Sequence, residues 1–239
     1  MSTAPLAFAP GLTVRGFTPP LQLRDFGLIA FDMDSTLINI ECIDEVADAA
    51  GRKAEVAAIT EASMRGEITD FKESLRRRVA MLQGVPEQFL HEVFERRLKP
   101  NPGAKALIDA CRAAGLKTLL VSGGFTFFAE RVCSLLGIDY ARSNVLEIVD
   151  GHLTGRLVDQ DWGDICDGAE KRRMLLATCE QLGLRPEQAI AMGDGANDLP
   201  MMGAAGLSVA YHAKPKVREQ AMVSIEQGGL DRLLELMKP

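Results

Sequence analysis

The stretch Leu28 to Leu37, reading LIAFDMDSTL, constrains this chain more than any other. Leu28-Ile29-Ala30-Phe31 is a short, unbroken apolar run, which is what a strand buried on both faces of a parallel sheet requires. The run then stops at two aspartates one residue apart, Asp32 and Asp34. Two later segments follow the same plan. Leu116 to Val121 reads as a strand ending in Ser122-Gly123-Gly124, and Ala189 to Met192 as one ending in Gly193-Asp194-Gly195-Ala196-Asn197-Asp198. Open α/β sheets bind ligands at the carboxyl ends of their strands, so parallel packing would bring the three clusters to one edge.

From Leu28 onward strand-like and helix-like segments alternate, which predicts an α/β domain. One block breaks the alternation. Between about 39 and 100 no strand is expected, and helical segments fall near 43–50, 54–65, 70–82 and 86–98. The block reads as a small helical subdomain inserted after the first strand. Beyond it the pattern predicts helices over 103–114, 125–136 and 169–182, a fourth strand over Gly206 to Ala210 and a last helix over 229–237. Asn144 to Val149 and His152 to Val158 flank Asp150-Gly151, which predicts a small β-hairpin. Met1 to Pro20 holds four of the eleven prolines and reads as irregular. The expected division is an irregular arm over 1–24, a catalytic core over 25–38 and 101–239, and a helical cap over 39–100.

Composition excludes several classes. An apolar fraction of 47% in 239 residues can build a real core, and a net charge of −6 argues against non-specific nucleic-acid binding. No apolar run approaches the ~20 residues of a membrane span, and no basic stretch followed by an apolar segment marks a secretory signal. The five cysteines are scattered without a C-x-x-C pair, so reduced thiols in a cytoplasmic protein are expected rather than zinc or disulfides. The three histidines, His91, His152 and His212, are too far apart in sequence to suggest a site.

Asp32, Asp34 and Asp194 gathered at one edge would repel each other unless a cation neutralised them. All the donors are oxygens, so a hard cation fits, with Mg²⁺ the natural choice. Ser122, the glycine amides and Lys171, at the start of a helix, would supply donors and positive charge suited to phosphoryl oxygens. A carboxylate that attacks phosphorus gives an aspartyl-phosphate. Taken singly, each residue has a plainer reading: an aspartate after a strand caps a turn, Ser-Gly-Gly is a loop, and a lone lysine is solvated. Their joint order, each at a strand or helix end, favours the site.

These residues, Asp32-Met33-Asp34-Ser35-Thr36-Leu37, Ser122-Gly123-Gly124, Lys171 and Gly193-Asp194-Gly195-Ala196-Asn197-Asp198, resemble the four motifs of the haloacid dehalogenase superfamily. With Ile38 to Glu45, Ser74 to Val79, Val121 to Phe125 and Ala213-Lys214-Pro215, the chain is similar, from Leu28 onward, to members that hydrolyse phosphoserine. The resemblance implies a Rossmann-like core with the helical cap inserted after the first motif. It implies Asp32 as nucleophile and Asp34 as the acid that protonates the leaving serine oxygen and then deprotonates water. It further implies Mg²⁺ held by Asp32, the main-chain carbonyl of Asp34, and Asp194. Ser122, Gly123, Lys171 and Asn197 would bind the phosphoryl group, with Asp198 positioning Lys171 or a metal-bound water. Glu41 would take the substrate ammonium, Arg78 its carboxylate, and Met64 and Phe71 would shield the site. Glu41 could equally be an acid favoured at a helix N-terminus, and Arg76 to Arg78 a solvated face.

The expected activity is Mg²⁺-dependent hydrolysis of L-phosphoserine in serine biosynthesis, by a monomer or homodimer with no nucleic-acid or membrane partner. Two alternatives stay open: a phosphatase or phosphotransferase for another small phosphorylated amino acid such as phosphohomoserine or phosphothreonine, or for another small phosphate ester, and a non-catalytic phosphate-binding module. A dehalogenase has no need of the second acid, Asp34. About 25 residues before the core are too few for a folded regulatory domain, so serine feedback through one is not expected.

Overall fold

A computed structural model describes residues 5–65 and 67–238. In chain order the elements are β1 (Leu6–Ala9), β2 (Leu12–Val14), β3 (Leu21–Gln22), β4 (Leu28–Phe31), α1 (Cys42–Ala49), α2 (Lys53–Met64), α3 (Phe71–Ala80), α4 (Gln88–Arg96), α5 (Ala104–Ala113) and β5 (Lys117–Phe125). They continue with α6 (Thr126–Leu136), β6 (Tyr140–Val149), β7 (His152–Val158), α7 (Gly168–Gln181), β8 (Ala189–Gly193), α8 (Leu199–Met202), β9 (Leu207–Tyr211), α9 (Pro215–Gln220), β10 (Val223–Ile225) and β11 (Met237–Lys238).

Nine strands form one sheet in the order β1-β2-β10-β9-β8-β4-β5-β6-β7. From β10 to β6 neighbouring strands run parallel. The outer strands β1, β2 and β7 pair antiparallel. β4 lies in the middle, every residue buried, as the unbroken apolar run requires. Side chains alternate across it. Ile29 and Phe31 join one core layer with Leu120, Ile190, Met192 and Val209. Leu28 and Ala30 join the other with Leu119, Ala189, Ala191 and Ala210. The chain passes from β4 to β5 on one side and returns to β8 on the other, so the strand order reverses at β4, where such sheets open a ligand crevice.

Register puts the polar clusters together. Phe31 pairs with Leu120 on one side and Met192 on the other. The Asp32 N–H then donates to the Met192 carbonyl (2.9 Å). Asp32, Ser122 and Asp194 thus leave adjacent strands within a residue or so of one level.

Four of the five helices between β4 and β5, α1 to α4, fall in the interval where no strand was expected. The chain enters and leaves this insert along paired linkers. The Asn39 N–H donates to the Lys99 carbonyl (3.0 Å), and the Asn101 N–H to the Leu37 carbonyl (2.8 Å). Asn101 Nδ2 adds bonds to the carbonyls of Thr36 (2.8 Å) and Ile38 (3.0 Å). The turn after α3 is also tied to the hairpin β6–β7. The Gly84 N–H donates to the Leu153 carbonyl (2.8 Å), the Leu153 N–H to the Val85 carbonyl (2.9 Å), and the Glu87 N–H to the Gly151 carbonyl (2.9 Å). Asp150 (φ 50°) and Gly151 (φ 72°) are both left-handed, the geometry a two-residue hairpin turn demands.

Two expectations change. The arm expected over 1–24 is not irregular over its described residues, 5–24. Pro10 and Gly11 turn β1 back into β2, and β2 joins the main sheet against β10 with Leu12 and Val14 buried. The last helix is a tight 3₁₀ stretch, Leu230–Leu236, running into β11, which pairs with β3. Strands of two or three residues carry too few alternations for a period to be read.

Candidate active site

Asp32 leaves the end of β4 and is buried. Lys171, in the first turn of α7 and 0% exposed, donates from Nζ to Asp32 Oδ1 (2.5 Å) and Asp198 Oδ1 (2.6 Å). The other oxygen of Asp198 accepts from the main-chain N–H groups of Asp194 (3.1 Å) and Gly195 (2.9 Å). Asp198 therefore holds the lysine and the turn after β8 at once. A Cβ at Gly193 would lie 2.4 Å from Asp198 Oδ2, so only glycine lets the turn close this tightly.

Asp34 sits in a sharp bend in which Ser35 is left-handed (φ 56°). Its Oδ1 accepts from the Cys42 N–H at the start of α1 (2.9 Å), and its Oδ2 from Ser122 Oγ (3.4 Å). Ser122 Oγ in turn accepts from the Gly124 N–H (2.8 Å). Thr36 Oγ1 donates to Asp194 Oδ1 (3.4 Å).

The electrostatics follow from crowding. Burial, then Asp198, raises the pKa of Asp32, and Lys171 pulls it back only in part. Burial also raises Asp34, against the hydrogen bonds from Cys42, and pushes Asp194 up to about 6 with help from Asp198. Burial alone would lower Lys171, but Asp198 and Asp32 outweigh it and hold the ammonium above the ordinary lysine range. One ammonium does not balance these carboxylates, so the cluster is short of positive charge. Carboxylate oxygens of Asp32, Asp194 and Asp198 lie within 4.8 Å of one another. Both oxygens of Asp198 are already engaged, which leaves Asp32 and Asp194 as the side chains with capacity for a cation. An all-oxygen set of this kind fits a hard metal ion.

A cavity of about 300 Å³ opens on this cluster. It brings together Asp32, Asp34, Asp194, Gly123 and Asn197 from the sheet edge and Glu41, Phe71 and Arg78 from the insert. Ser122 and Lys171 are fully buried behind it. Met64 ends α2, and its side chain lies outside the described residues. Phe71 rests on the irregular stretch near the end of β5: a Cβ at Gly123 would come within 2.9 Å of Phe71 Cζ. Glu41, open to the cavity, accepts from Ser35 Oγ (2.6 Å), and burial within the cleft together with the Asp34 charge pushes its pKa up to about 7. Arg78 makes no ion pair among the described residues, and its Nε is buried with no hydrogen-bond partner. Burial lowers its pKa from the ordinary arginine value.

Lys214 was not expected as a lining residue, yet it stands on the cavity wall and its N–H donates to the Asp194 carbonyl (3.3 Å). Its place in Ala213-Lys214-Pro215 was the available signal. Asn101 and Asn144 were also missed; both act on main chain, which no local pattern announces. Lys72 Nζ donates to Asp164 Oδ1 (2.7 Å) and Arg76 pairs with the same carboxylate, so α3 is tied to the loop before α7. None of the three histidines lines the cavity, and the five cysteines are free thiols. Among the described residues no helix is long and apolar enough to cross a membrane.

Comparison with known proteins agrees with this geometry. The chain is 73% identical over 234 residues to a phosphoserine phosphatase of Polaromonas sp., covering 98% of this chain and 99% of that protein. It is 72% identical to a phosphoserine phosphatase of Albidiferax ferrireducens, covering 98% and 99%. Among solved structures, a phospho-aspartyl intermediate analogue of phosphoserine phosphatase superposes with a TM-score of 0.81 at 38% identity, covering 89% of this chain and 99% of that one. A substrate-bound phosphoserine phosphatase complex gives 0.81 at 37% identity, covering the same shares. The haloacid dehalogenase-like hydrolase pattern matches residues 29–203, from the first buried strand past the last acidic turn. On fold, motif order and sequence alike, the chain belongs to the haloacid dehalogenase-like hydrolase family.

Proposed function

We propose that this chain hydrolyses O-phospho-L-serine to L-serine and phosphate through a phosphoryl group carried on Asp32. The observation that carries the substrate assignment is Arg78, a cation without an ion-pair partner among the described residues, sharing one cavity with Glu41 and Asp32. A substrate with an ammonium, a carboxylate and a phosphate meets all three. The high identity to phosphoserine phosphatases over nearly the whole chain supports the same reading.

In this reading Arg78 grips the substrate carboxylate with two donors and Glu41 receives the ammonium, which sets the phosphate against Asp32. An Asp32 oxygen attacks phosphorus as the bond to the serine oxygen breaks, and Asp34 gives that oxygen its proton. Asp34 then takes a proton from water, which attacks phosphorus and frees phosphate and Asp32. Lys171, Ser122, Gly123 and Asn197 stabilise the phosphoryl oxygens. Asp198 keeps Lys171 in place. Mg²⁺ held by the Asp32 and Asp194 carboxylates and the Asp34 main-chain carbonyl would supply the positive charge that the cluster lacks. Residues 39–100 serve as a cap on a core of 25–38 and 101–239, and Phe71 excludes water. The enzyme works in the cytoplasm, in serine biosynthesis, as a monomer or homodimer.

The test is a panel of phosphoserine, phosphothreonine, phosphohomoserine and sugar phosphates, assayed with Mg²⁺ and then with chelator. Phosphoserine should be the preferred substrate, chelator should abolish turnover, and mass spectrometry of acid-quenched enzyme should find phosphate on Asp32. Preference for a different phosphate ester, or undiminished turnover in chelator, rejects the proposal.

A further inference from the structure

We infer that Asn144 is a positioning residue for the phosphoryl-binding turn: it sets the direction of the Gly123–Gly124 peptide and, through it, of the Ser122 hydroxyl. The inference rests on the proposed function only in taking that turn to meet a phosphoryl group.

Asn144 is 1% exposed and lies where β6 changes partners. Before it β6 runs parallel to β5; after it β6 pairs antiparallel with β7. Opposite it, β5 bulges. Val121 pairs with Arg142 and Phe125 with Asn144, so β5 advances four residues while β6 advances two. The surplus is the Ser122-Gly123-Gly124 turn, and a bulge leaves its main chain without ladder partners.

The Asn144 side chain takes up that slack. Its Nδ2 donates to the Gly123 carbonyl (2.8 Å). In a trans peptide the carbonyl of one residue and the N–H of the next point in opposite directions. Holding the Gly123 carbonyl toward Asn144 therefore turns the Gly124 N–H the other way, onto Ser122 Oγ (2.8 Å). With that lone pair engaged, the hydroxyl proton is left for Asp34 Oδ2 (3.4 Å). Asn144 Oδ1 meanwhile accepts from the Cys166 N–H (2.8 Å). Cys166 is next to Asp167, whose side chain caps α7 by accepting from the Glu170 N–H (2.9 Å), one residue before Lys171. One amide thus holds the bulged turn of β5 and the approach to the lysine helix at a fixed separation. An amide suits the task because it offers a donor and an acceptor on one rigid plane.

The test compares Asn144→Ala and Asn144→Asp with the parent enzyme on phosphoserine and on p-nitrophenyl phosphate. Asn144→Ala loses both links; Asn144→Asp keeps the acceptor for Cys166 and sets a carboxylate against the Gly123 carbonyl. Both variants should lose kcat by roughly 10- to 100-fold, the scale for removing a supporting hydrogen bond, to the same extent on both substrates. KM for phosphoserine should stay within about twofold, since Glu41 and Arg78 are untouched. Amide exchange at Gly124 should accelerate in both. Turnover within about twofold of the parent in folded protein, unchanged exchange at Gly124, or a loss confined to KM overturns the inference. If Asn144→Ala does not fold, Asn144→Asp alone is read by the same criteria. Failure of the phosphoserine reading shows separately, as a parent enzyme inactive on phosphoserine, while the aryl phosphate still reports on Asn144.

Discussion

The two walls of the cavity are built on opposite plans. On the sheet side, Asp32, Lys171 and Asp198 are buried, and every polar atom of Lys171 and Asp198 that matters has a partner within the protein. On the insert side, Arg78 has no ion-pair partner among the described residues and Glu41 is bonded only to a serine hydroxyl. A satisfied network is rigid and costly to disturb, whereas an unsatisfied buried group is stabilised by whatever ligand completes it. Under the proposed function the contrast separates reaction from recognition: bond-making falls to a frame hydrogen-bonded within the protein, and discrimination to groups left without such partners.

The largest effect that can break this comparison is on the frame. Asp32→Asn keeps the shape and removes the proposed nucleophile, so turnover should fall by ~10⁴-fold or more with the melting transition retained. Activity near that of the parent would remove Asp32 from the chemistry. Arg78→Ala probes the other wall. It should lower kcat/KM for phosphoserine by roughly 10- to 100-fold, as expected for a charged hydrogen bond, and leave an aryl phosphate nearly unaffected. Equal losses on both substrates would place Arg78 with the frame instead. Glu41, with its pKa pushed up to about 7, is protonated below that pH and has no charge to offer an ammonium. The kcat/KM for phosphoserine should therefore climb as pH rises through 7 in the parent, and Asn or Gln at this position should flatten that limb. An identical profile in Glu41→Gln would assign the limb to another group. The smallest effect expected is at Asp164, which joins Lys72 and Arg76 of α3 to the loop before α7. These are partly exposed pairs, worth about 1 kcal/mol or less, so Asp164→Asn should change KM by a few-fold at most and less at high salt. A large loss of kcat would mean that this link belongs to the frame.

The frame was the more legible wall in the amino-acid sequence, and the reason is physical. Asp32, Ser122 and Asp194 follow strands whose burial on both faces shows as an apolar run, and parallel register then sets them side by side. The insert was legible as helices, because Phe71, Leu75, Val79 and Leu82 repeat at helical spacing. Which of Arg76, Arg77 and Arg78 faces the cavity is a question of helix rotation against the core, and only resemblance pointed to Arg78. Asn144 was invisible for a different reason. Its hydrogen bonds go to main-chain groups of residues 21 and 22 positions away, and nothing in an asparagine within a strand signals that. The terminal hairpin escaped notice because Leu12 and Val14 alternate only once. Its turn, Pro10-Gly11, was the better clue.

The backbone pairing between the turn after α3 and the hairpin β6–β7 has a kinematic consequence. Among the described residues, main-chain hydrogen bonds fasten the insert to the sheet domain at two separate places, the paired linkers at Asn39–Lys99 and the Gly84–Leu153–Val85 bonds. A body pinned at two points keeps a single rigid-body freedom, rotation about the line through them. If both sets of bonds persist while substrate enters, the insert swings on that axis. The Phe71–Gly123 contact and the Asp164 pairs lie at neither pin, so they are the contacts such a swing would break.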